Sequence, residues 1–373
     1  MRAMPGLVLL SIAVLHAGAA AQESDLPPSR LSGLLGADAD EGYERALSVR
    51  EFTFPADHGP HPSFRNEWWY VTGNLDDEAG RRFGFELTIF RFSLTPFAPE
   101  SPSAWRSNQV YIAHLAVTDE AREGFHVAQR YSRGAVGLAG AQAEPFKVWL
   151  DDWEIAKDAG DRWRLVAHDA DFGVDLELTA LKAPTLNGNA GLSQKSAEPG
   201  NASYYYSITR LATEGVIRLA ERDYRVSGLS WLDREWSSSA LSADQVGWDW
   251  FALQLDDGTD LMFYQLRRRD GTPDEFSAGT VVDANGSSSH LENDQVELSV
   301  LDHWESDAGG RYPSRWTLSV PRLDLEVDVR PIVADQELFT TVRYWEGAVD
   351  VTGTRDGAPV AGRGYVELTG YAE

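Results

Sequence analysis

Acidic and indole side chains are concentrated between residues 228 and 251. Two carboxyl groups lie close together at Asp233 and Glu235, and a third follows at Asp249. The tryptophans among them are Trp231, Trp236, Trp248 and Trp250. A carboxyl group buried beside aromatic rings must be paired, hydrogen-bonded or held protonated, because the loss of its hydration is costly. A protonated acid in an apolar site can donate its proton to a substrate. This segment is therefore either a structural clamp or a site of acid chemistry.

The two-residue period of a β-strand divides the first group of side chains between two faces. Trp231, Asp233 and Glu235 share one face of the predicted strand. Arg234 and Trp236 share the other face. The pattern therefore predicts a pair of carboxyl groups on the same face as an indole.

The next strand has a similar pattern, with Trp248 and Trp250 on one face and Asp249 on the other. We take the acids of both strands as candidate catalytic residues and their neighbours as candidate ligand contacts. The catalytic candidates are Asp233, Glu235 and Asp249, and the ligand candidates are Trp231, Arg234, Trp236, Trp248, Trp250 and Tyr264. The structural alternative is a buried ion-pair knot in which Arg234 pairs with the acids and joins two parts of the fold.

Two further side chains are candidate ligand contacts. His114 lies in an apolar strand and shares a face with Ile112 and Ala116. This position is typical of a hydrogen-bonded core histidine, and a ligand-facing histidine is the alternative. Tyr205 stands between two other tyrosines, and alternation sends it to the face opposite theirs. Its hydroxyl group could enter a barrel there, or the strand could have aromatic packing on both faces.

Several kinds of site find no support in the sequence. The chain has no cysteine, which excludes disulfides, thiolate metal ligands and thiol nucleophiles. His58 and His61 fall in a proline-rich turn without an evident third ligand, so we predict no metal site and no cofactor. The sequence has no nucleophile elbow and no phosphate-binding glycine loop. A formal net charge of -25 repels nucleic acid, so we predict no nucleic-acid partner.

Turn signals recur along the chain and separate short runs of aromatic and β-branched residues. Acidic or asparagine-glycine turns occur at residues 76–80, 158–160, 187–188, 257–258, 270–271, 285–286 and 356–357. Runs of period two between these turns predict an antiparallel, all-β chain. Chains of this kind close into barrels or pack as sandwiches, because closure removes exposed strand edges.

The N-terminus has the pattern of a secretory signal peptide. Arg2 precedes an apolar run, and small residues lead up to Ala21. This order predicts a signal peptide at 1–21, followed by a linker at 22–50. We therefore expect a periplasmic or secreted protein.

The remainder of the chain contains an internal similarity. Residues 67–91 and residues 248–267 both follow the order aromatic strand, acidic turn and strand ending in arginine. We predict two tandem β-units of one type, an N-terminal barrel at 51–238 and a C-terminal barrel at 239–373. Thirteen tryptophans exceed what a structural core normally needs, so we expect some of them to line a cavity inside a barrel.

Several motifs resemble those of a known family. They are FPADHG at 54–59, FRNEWWY at 64–70, DREW at 233–236, GWDWF at 247–251, YWEGAV at 344–349 and GYVELTGY at 364–371. In this order they resemble the secreted lipocalin-like family that includes AttH-type proteins and the bacterial carotenoid 1,2-hydratases. The resemblance extends from about residue 42 to the C-terminus. It implies two lipocalin-like antiparallel β-barrels, export, an apolar ligand and an association with ABC-transporter components.

The hydratase branch of the family implies a mechanism. A protonated carboxylic acid would protonate an isoprenoid alkene, and indole and phenol faces would stabilise the carbocation through cation–π attraction. That branch carries a histidine where this chain has Arg234, and an arginine cannot give up a proton near neutral pH. We therefore expect an exported protein that binds a lipid or isoprenoid. The alternatives are a hydro-lyase of the carotenoid 1,2-hydratase type and a purely structural module.

Overall fold

A computed structural model of the chain describes residues 41–98, 100–239 and 241–372. The predicted signal peptide lies outside the described residues, as does the linker up to residue 40. The described chain consists almost entirely of antiparallel β-strands in two sheets. Short 3-10 turns lie at Ala56–His58, Glu120–Arg122, Asn293–Gln295 and Pro321–Leu323. No helix in the described part of the chain has the length and apolar character needed to cross a membrane.

The first sheet, which we call the first unit, contains thirteen strands. These are β1 Asn66–Asp77, β2 Arg82–Ser93, β3 Gln109–Asp119, β4 Gly124–Arg133, β5 Ala139–Gln142, β6 Lys147–Leu150, β7 Trp153–Lys157, β8 Arg162–His168, β9 Phe172–Ala180, β10 Thr185–Leu186, β11 Leu192–Gln194, β12 Ala202–Leu219 and β13 Arg222–Ser237. Their order is β4-β3-β2-β1-β13-β12-β9-β8-β7-β6-β5, with β10 and β11 paired to β12. The sheet curls until β5 and β6 lie against β3, which nearly closes a barrel.

The second sheet, the second unit, contains ten strands. These are β14 Gln245–Leu255, β15 Asp260–Arg268, β16 Ala278–Val282, β17 Ser288–Glu292, β18 Glu297–Glu305, β19 Arg311–Val320, β20 Leu325–Pro331, β21 Glu337–Phe339, β22 Arg343–Arg355 and β23 Ala358–Thr369. Their order is β17-β16-β15-β14-β23-β22-β20-β19-β18, with β21 paired to β22. This sheet forms a half-barrel, and the prediction of an all-β, lipocalin-like fold is confirmed.

The two hairpins that look alike in sequence occupy equivalent positions. β1 lies between β2 and β13 in the first unit, and β14 lies between β15 and β23 in the second. Each hairpin turns through a glycine with positive φ, Gly80 at 79° and Gly258 at 88°. Glycine is favoured at both turns because it adopts this conformation without steric cost.

Side chains fill the interior of each unit. The core of the first unit includes Trp69, Trp153, Trp163 and Trp236, and the core of the second includes Trp316, Trp345 and Phe251. All of these side chains are almost completely buried. These buried indoles supply apolar surface that stabilises the two cores, and a tryptophan-lined cavity inside a barrel stays a prediction.

The outer faces of the two units pack against each other along a surface that we call the seam. A third apolar cluster occupies the seam and includes Tyr70, Tyr205, Trp231, Trp250 and Met262. Asp260 of β15 is fully buried there and pairs with Lys182 at 2.7 Å and with Arg210 at 2.6 Å. This carboxylate of the second unit contacts two cations of the first unit. These ion pairs and the apolar cluster together fix how the units dock.

β2 and β22 approach each other closely in the seam. Gly84 of β2 faces Ala348 of β22, and a Cβ added to Gly84 would lie 2.6 Å from the Ala348 Cβ. A methyl group does not fit at this point. The absence of a side chain at Gly84 therefore permits the close approach of the two sheets.

Candidate functional site

A cavity of about 130 Å³ lies in the seam. The first unit contributes residues of β1, β2, β3, β12 and β13 to its walls, and the second unit contributes residues of β14, β15, β22 and β23. In every one of these strands, the lining residues belong to the face that points away from the core of its own unit. The site therefore exists only where the two units meet.

Aromatic side chains form most of the walls. Those of the first unit are Trp68, Tyr70, Phe90, Phe92 and Tyr205, and those of the second are Trp248, Trp250, Tyr264 and Tyr344. Tyr70 and Trp250 meet edge to face across the seam, with ring centroids 5.2 Å apart. Trp68, Phe92, Trp248 and Leu241 are apolar lining residues that are only partly buried, and we call these four side chains the mouth of the cavity. The enclosed volume is close to that of an engineered apolar cavity of about 150 Å³ that holds benzene.

Asp233 of β13 lies in the wall of this cavity and is 3% exposed. Its Oδ1 accepts a hydrogen bond from the Ser207 hydroxyl group, whereas its Oδ2 has no partner. Burial raises the pKa of this carboxyl group to about 7, although the nearby polar groups of Ser207, Trp231 and Tyr205 oppose the shift. Asp233 is therefore a buried acid that holds its proton near neutral pH and has one oxygen free to face a guest.

Glu235 lies two residues further along the same face and has a different environment. It accepts a hydrogen bond from the Ser203 hydroxyl group and pairs with Lys195 at 3.3 Å. The Lys195 ammonium group also lies 3.9 Å from the ring centroid of Tyr264. Burial lowers the pKa of Lys195, but Glu235 and Tyr264 together outweigh it and the net shift is upward. Glu235 is thus paired with a cation, whereas Asp233 has no cationic partner among the described residues.

Two further acids line the opposite wall. Glu346 of β22 and Glu367 of β23 are direct cross-strand neighbours. Glu346 accepts a hydrogen bond from the Tyr70 hydroxyl group through Oε1, and its Oε2 has no partner. Glu367 accepts one from the Trp248 indole at 3.1 Å. Burial raises the pKa of Glu367 to about 7 and that of Glu346 well above its usual range, with Glu367 adding to the shift of Glu346.

His114 of β3 also lines the cavity. One of its ring nitrogens is 2.7 Å from the Tyr344 hydroxyl oxygen, and the other is 2.8 Å from the Gln129 side-chain nitrogen. Burial lowers the pKa of His114 to about 3, so its ring is neutral. A neutral imidazole held on both sides positions the Tyr344 hydroxyl group and does not supply a positive charge.

In addition to His114 and Trp248, three more of the predicted ligand contacts lie beside this cavity, and one lies behind its wall. Tyr205, Trp250 and Tyr264 line it, and the Trp250 indole donates to the Tyr205 hydroxyl group at 3.1 Å. Tyr264 exchanges a hydrogen bond of 2.9 Å with Ser193. Trp231 belongs to the seam cluster and packs edge to face on Trp250, but it is not part of the lining.

Arg234 and Trp236 lie in the interior of the first unit. The guanidinium group of Arg234 pairs with Glu67 and lies 4.0 Å from the ring centroid of Trp69. Glu67 pairs through its other oxygen with Arg91. Burial opposes ionisation of Glu67, but the two arginines outweigh it and hold its pKa far below the usual range. A buried ion-pair knot therefore exists, but it involves Glu67 rather than the acids next to Arg234 and lies within one unit.

Asp249 is also directed away from the cavity. It lies in the second unit, is 1% exposed, and pairs with Arg267 at 2.9 Å. The Tyr371 hydroxyl group donates to its carboxylate at 2.9 Å. Asp249, Arg234 and Trp236 therefore make no contact with the cavity, whereas Asp233 and Glu235 lie in its wall.

The site also contains acids that sequence reasoning did not select. Glu346 and Glu367 are part of the motifs quoted above, but neither was assigned a role there. Each is a single carboxyl group flanked by uncharged residues within its motif, which is a weak signal for a buried acid. Their proximity depends on the register of β22 and β23, where Glu346 lies opposite Glu367. Like charges at such a position are unfavourable, and the sequence alone does not reveal that register.

Two distant structures share the fold of this chain. Kievitone hydratase of Nectria haematococca is 16% identical, with 90% of this chain and 97% of that chain covered and a TM-score of 0.66. The structure of CghA with Sch210972 is 13% identical, with 91% and 97% covered and a TM-score of 0.53. Among curated proteins, none matches this chain significantly.

A family model and a nearer structure give a more specific result. The model for AttH-like proteins matches residues 45–371. The crystal structure of a candidate AttH from Nitrosomonas europaea is 36% identical, with 88% of this chain and 100% of that chain covered and a TM-score of 0.80. Both matches extend through the two units and include the strands that line the cavity. This chain therefore belongs to the AttH-like family.

Proposed function

We propose that this protein binds an apolar small molecule, one end of which enters the cavity in the seam. The observation that carries this proposal is the cavity itself, which has aromatic walls and a partly exposed apolar mouth. Ligand sites are typically concave and apolar, with a few polar groups that fix orientation. The same description applies to this cavity, in which carboxyl and hydroxyl groups interrupt an aromatic wall.

The size of the cavity limits which part of a guest it encloses. A volume of about 130 Å³ accommodates one ring or one branched terminal group. The remainder of a long lipid or isoprenoid would leave through the mouth between Trp68, Trp248 and Leu241. We infer that the protein is exported, in line with the predicted signal peptide, and that it carries its guest in the cell envelope. A partnership with ABC-transporter components rests on the family resemblance alone.

Ligand binding by a variant with a charge at the mouth of the cavity tests the proposal. Leu241→Arg places a cation in the apolar mouth, and we expect it to weaken binding of the neutral fluorescent probe N-phenyl-1-naphthylamine at least tenfold. Leu301→Arg is the matched control, because Leu301 is 49% exposed on β18 and does not line the cavity. Equal affinity of both variants and the parent protein would show that the mouth is not the entry. Mass spectrometry of lipids extracted from protein purified from its native host would then identify the guest.

A second candidate function is a hydro-lyase, and the unpartnered Oδ2 of Asp233 favours it. The carboxylic acid would transfer its proton to one carbon of an isoprenoid alkene, and the π electrons would form the new C–H bond. Water would add to the resulting tertiary cation beside the aromatic walls and return a proton to the Asp233 carboxylate. One protein of similar fold is named a hydratase, but the support for this candidate comes from Asp233. Turnover of an acyclic alkene by the parent protein and not by Asp233→Asn is the test.

A further inference from the structure

Three carboxyl groups in the cavity have no basic partner. Asp233, Glu346 and Glu367 all line it, and no lysine or arginine of the described residues lies within ion-pair distance of them. Lys195, the cationic side chain in the lining, is paired with Glu235. Asp233 and Glu346 are at most 3% exposed, and each has one oxygen without a hydrogen-bond partner. The lining is thus rich in negative or potentially negative charge.

Aromatic rings surround the same space. Trp68, Tyr70, Trp248 and Trp250 are part of its walls together with Tyr205 and Tyr344. The faces of such rings attract cations, and cages of this kind bind quaternary ammonium groups. A purely hydrocarbon guest would leave the carboxyl oxygens of Asp233 and Glu346 unsatisfied, which is unfavourable in a buried site. A cationic guest would satisfy the acids and the rings together.

We propose that the preferred guest is an amphiphile with an alkylated ammonium head group, which enters the cavity head first while its apolar chain leaves through the mouth. A trimethylammonium group is similar in size to the ring that a cavity of about 150 Å³ accommodates. This inference rests on the proposed function, since it names the chemistry of the end that enters the seam. The charged head and not the chain would then determine selectivity.

Binding of a cation at this site is linked to pH. The pKa values of Asp233 and Glu367 are raised to about 7 by burial, so both groups are mainly protonated at pH 6. A cation favours their ionised forms, and its binding therefore releases protons below pH 7. For one released proton, affinity rises about tenfold between pH 6 and pH 8. The other groups around the site are Glu346, whose pKa burial raises well above its usual range, the Lys195–Glu235 pair, neutral His114, and Glu86 with a pKa raised to about 8 by burial.

A comparison of two molecules of the same shape separates the effect of charge on affinity from that of apolar contact. Phenyltrimethylammonium carries a positive charge, and tert-butylbenzene is its neutral isostere. We expect isothermal titration calorimetry at pH 8 to show at least tenfold tighter binding of the cation. Its affinity should fall about tenfold at pH 6, with proton release detected from the dependence of the enthalpy on the buffer. The affinity of tert-butylbenzene should not change with pH.

Amide variants test which acids are responsible. Glu346→Gln and Asp233→Asn retain the shape of each side chain and remove its ability to ionise, and circular dichroism would verify folding. We expect each to weaken binding of the cation at least fivefold and to leave tert-butylbenzene binding unchanged. Glu297→Gln, at an exposed position of β18, is the matched control and should bind both molecules as the parent protein does.

The outcomes distinguish this inference from the proposed function. If tert-butylbenzene binds as tightly as the cation at pH 8, the cationic guest is ruled out, and the apolar binding site remains. If neither molecule binds and the neutral naphthylamine probe fails as well, the proposed function is lost together with the inference. Cation binding that persists unchanged in both amide variants would also overturn the inference, because the acids would then not contact the head group.

Discussion

Asp233 is the residue on which acid chemistry in the seam depends. Its neighbour Glu235 has a lysine partner, whereas Asp233 has only hydrogen bonds from neutral groups. Two carboxyl groups on one face of one strand therefore have different partners. Different environments of this kind are how neighbouring acids acquire different roles in a site.

The hydro-lyase candidate leads to a prediction at this residue. If Asp233 donates a proton to an alkene, its carboxyl group must be protonated, and its pKa of about 7 sets the useful range. We expect the rate to be constant below pH 6 and to fall about tenfold per pH unit above pH 8. The rate would be measured at each pH as the incorporation of deuterium from heavy water into an acyclic isoprenoid alkene.

Substitution at the same residue provides the control. Asp233→Asn should abolish this incorporation, whereas Asp249→Asn should retain it in the folded fraction because Asp249 faces the core of the second unit. Equal loss in both variants would show that folding, and not proton donation, is affected. A parent protein without any incorporation would exclude this alkene as a substrate.

At the scale of elements, β1, β2 and β13 are joined by the ion-pair knot of the first unit. Each strand contributes one charged residue, namely Glu67, Arg91 and Arg234. Glu67 and Arg91 are opposite each other in the register of β1 and β2. These three strands also form the wall that carries Asp233 and Tyr70. The knot therefore holds the inner face of the strands whose outer face lines the cavity.

Removal of the central acid should destabilise the first unit strongly. Glu67→Gln would leave two buried guanidinium groups without their counter-charge, and we expect the free energy of unfolding to fall by about 3–5 kcal/mol. Urea denaturation followed by tryptophan fluorescence would measure this change. Glu297→Gln, an exposed change of the same type, should stay within about 0.5 kcal/mol of the parent protein. A loss below about 1 kcal/mol for Glu67→Gln would show that the knot does not stabilise the sheet.

The same strands show how far the sequence could predict the site. Alternation assigns Asp233 and Glu235 to one face of β13 and Arg234 and Trp236 to the other, and the structure has this division. Which of the two faces meets the core was not predictable. Both faces of β13 are buried, one in the first unit and one in the seam, so hydrophobicity does not distinguish them. The number of tryptophans likewise did not indicate that Trp68, Trp248 and Trp250 would line the seam.

For the whole molecule, the docking of the units determines whether the seam cavity exists. The acids of its two walls come from Asp233 on one side and from Glu346 and Glu367 on the other, more than a hundred residues apart in the chain. Turn signals and alternation act over short distances, and they predicted the all-β class and the paired hairpins. They contain no information about how two completed sheets dock.

The seam itself can be tested at the close approach of Gly84 and Ala348. Gly84→Ala would place a methyl group 2.6 Å from the Ala348 Cβ, and we expect a loss of about 1–3 kcal/mol in stability. Ala348→Gly removes the opposing methyl group. A double-mutant cycle measured by thermal denaturation should show that the combined variant recovers most of the loss. Additive effects would indicate that the two positions do not meet.

In a hollow barrel the same residues would have to bind the guest and pack the core. A binding site in the seam assigns these two tasks to different residues. In a hollow barrel, a substitution that admits a new guest also alters the packing on which folding depends. Here the tryptophans that stabilise each unit point inward, and the side chains that face a guest point outward. Descendants of such a protein can exchange outward-facing residues for new specificities while both cores remain unchanged, and they can accumulate core substitutions without losing their guest.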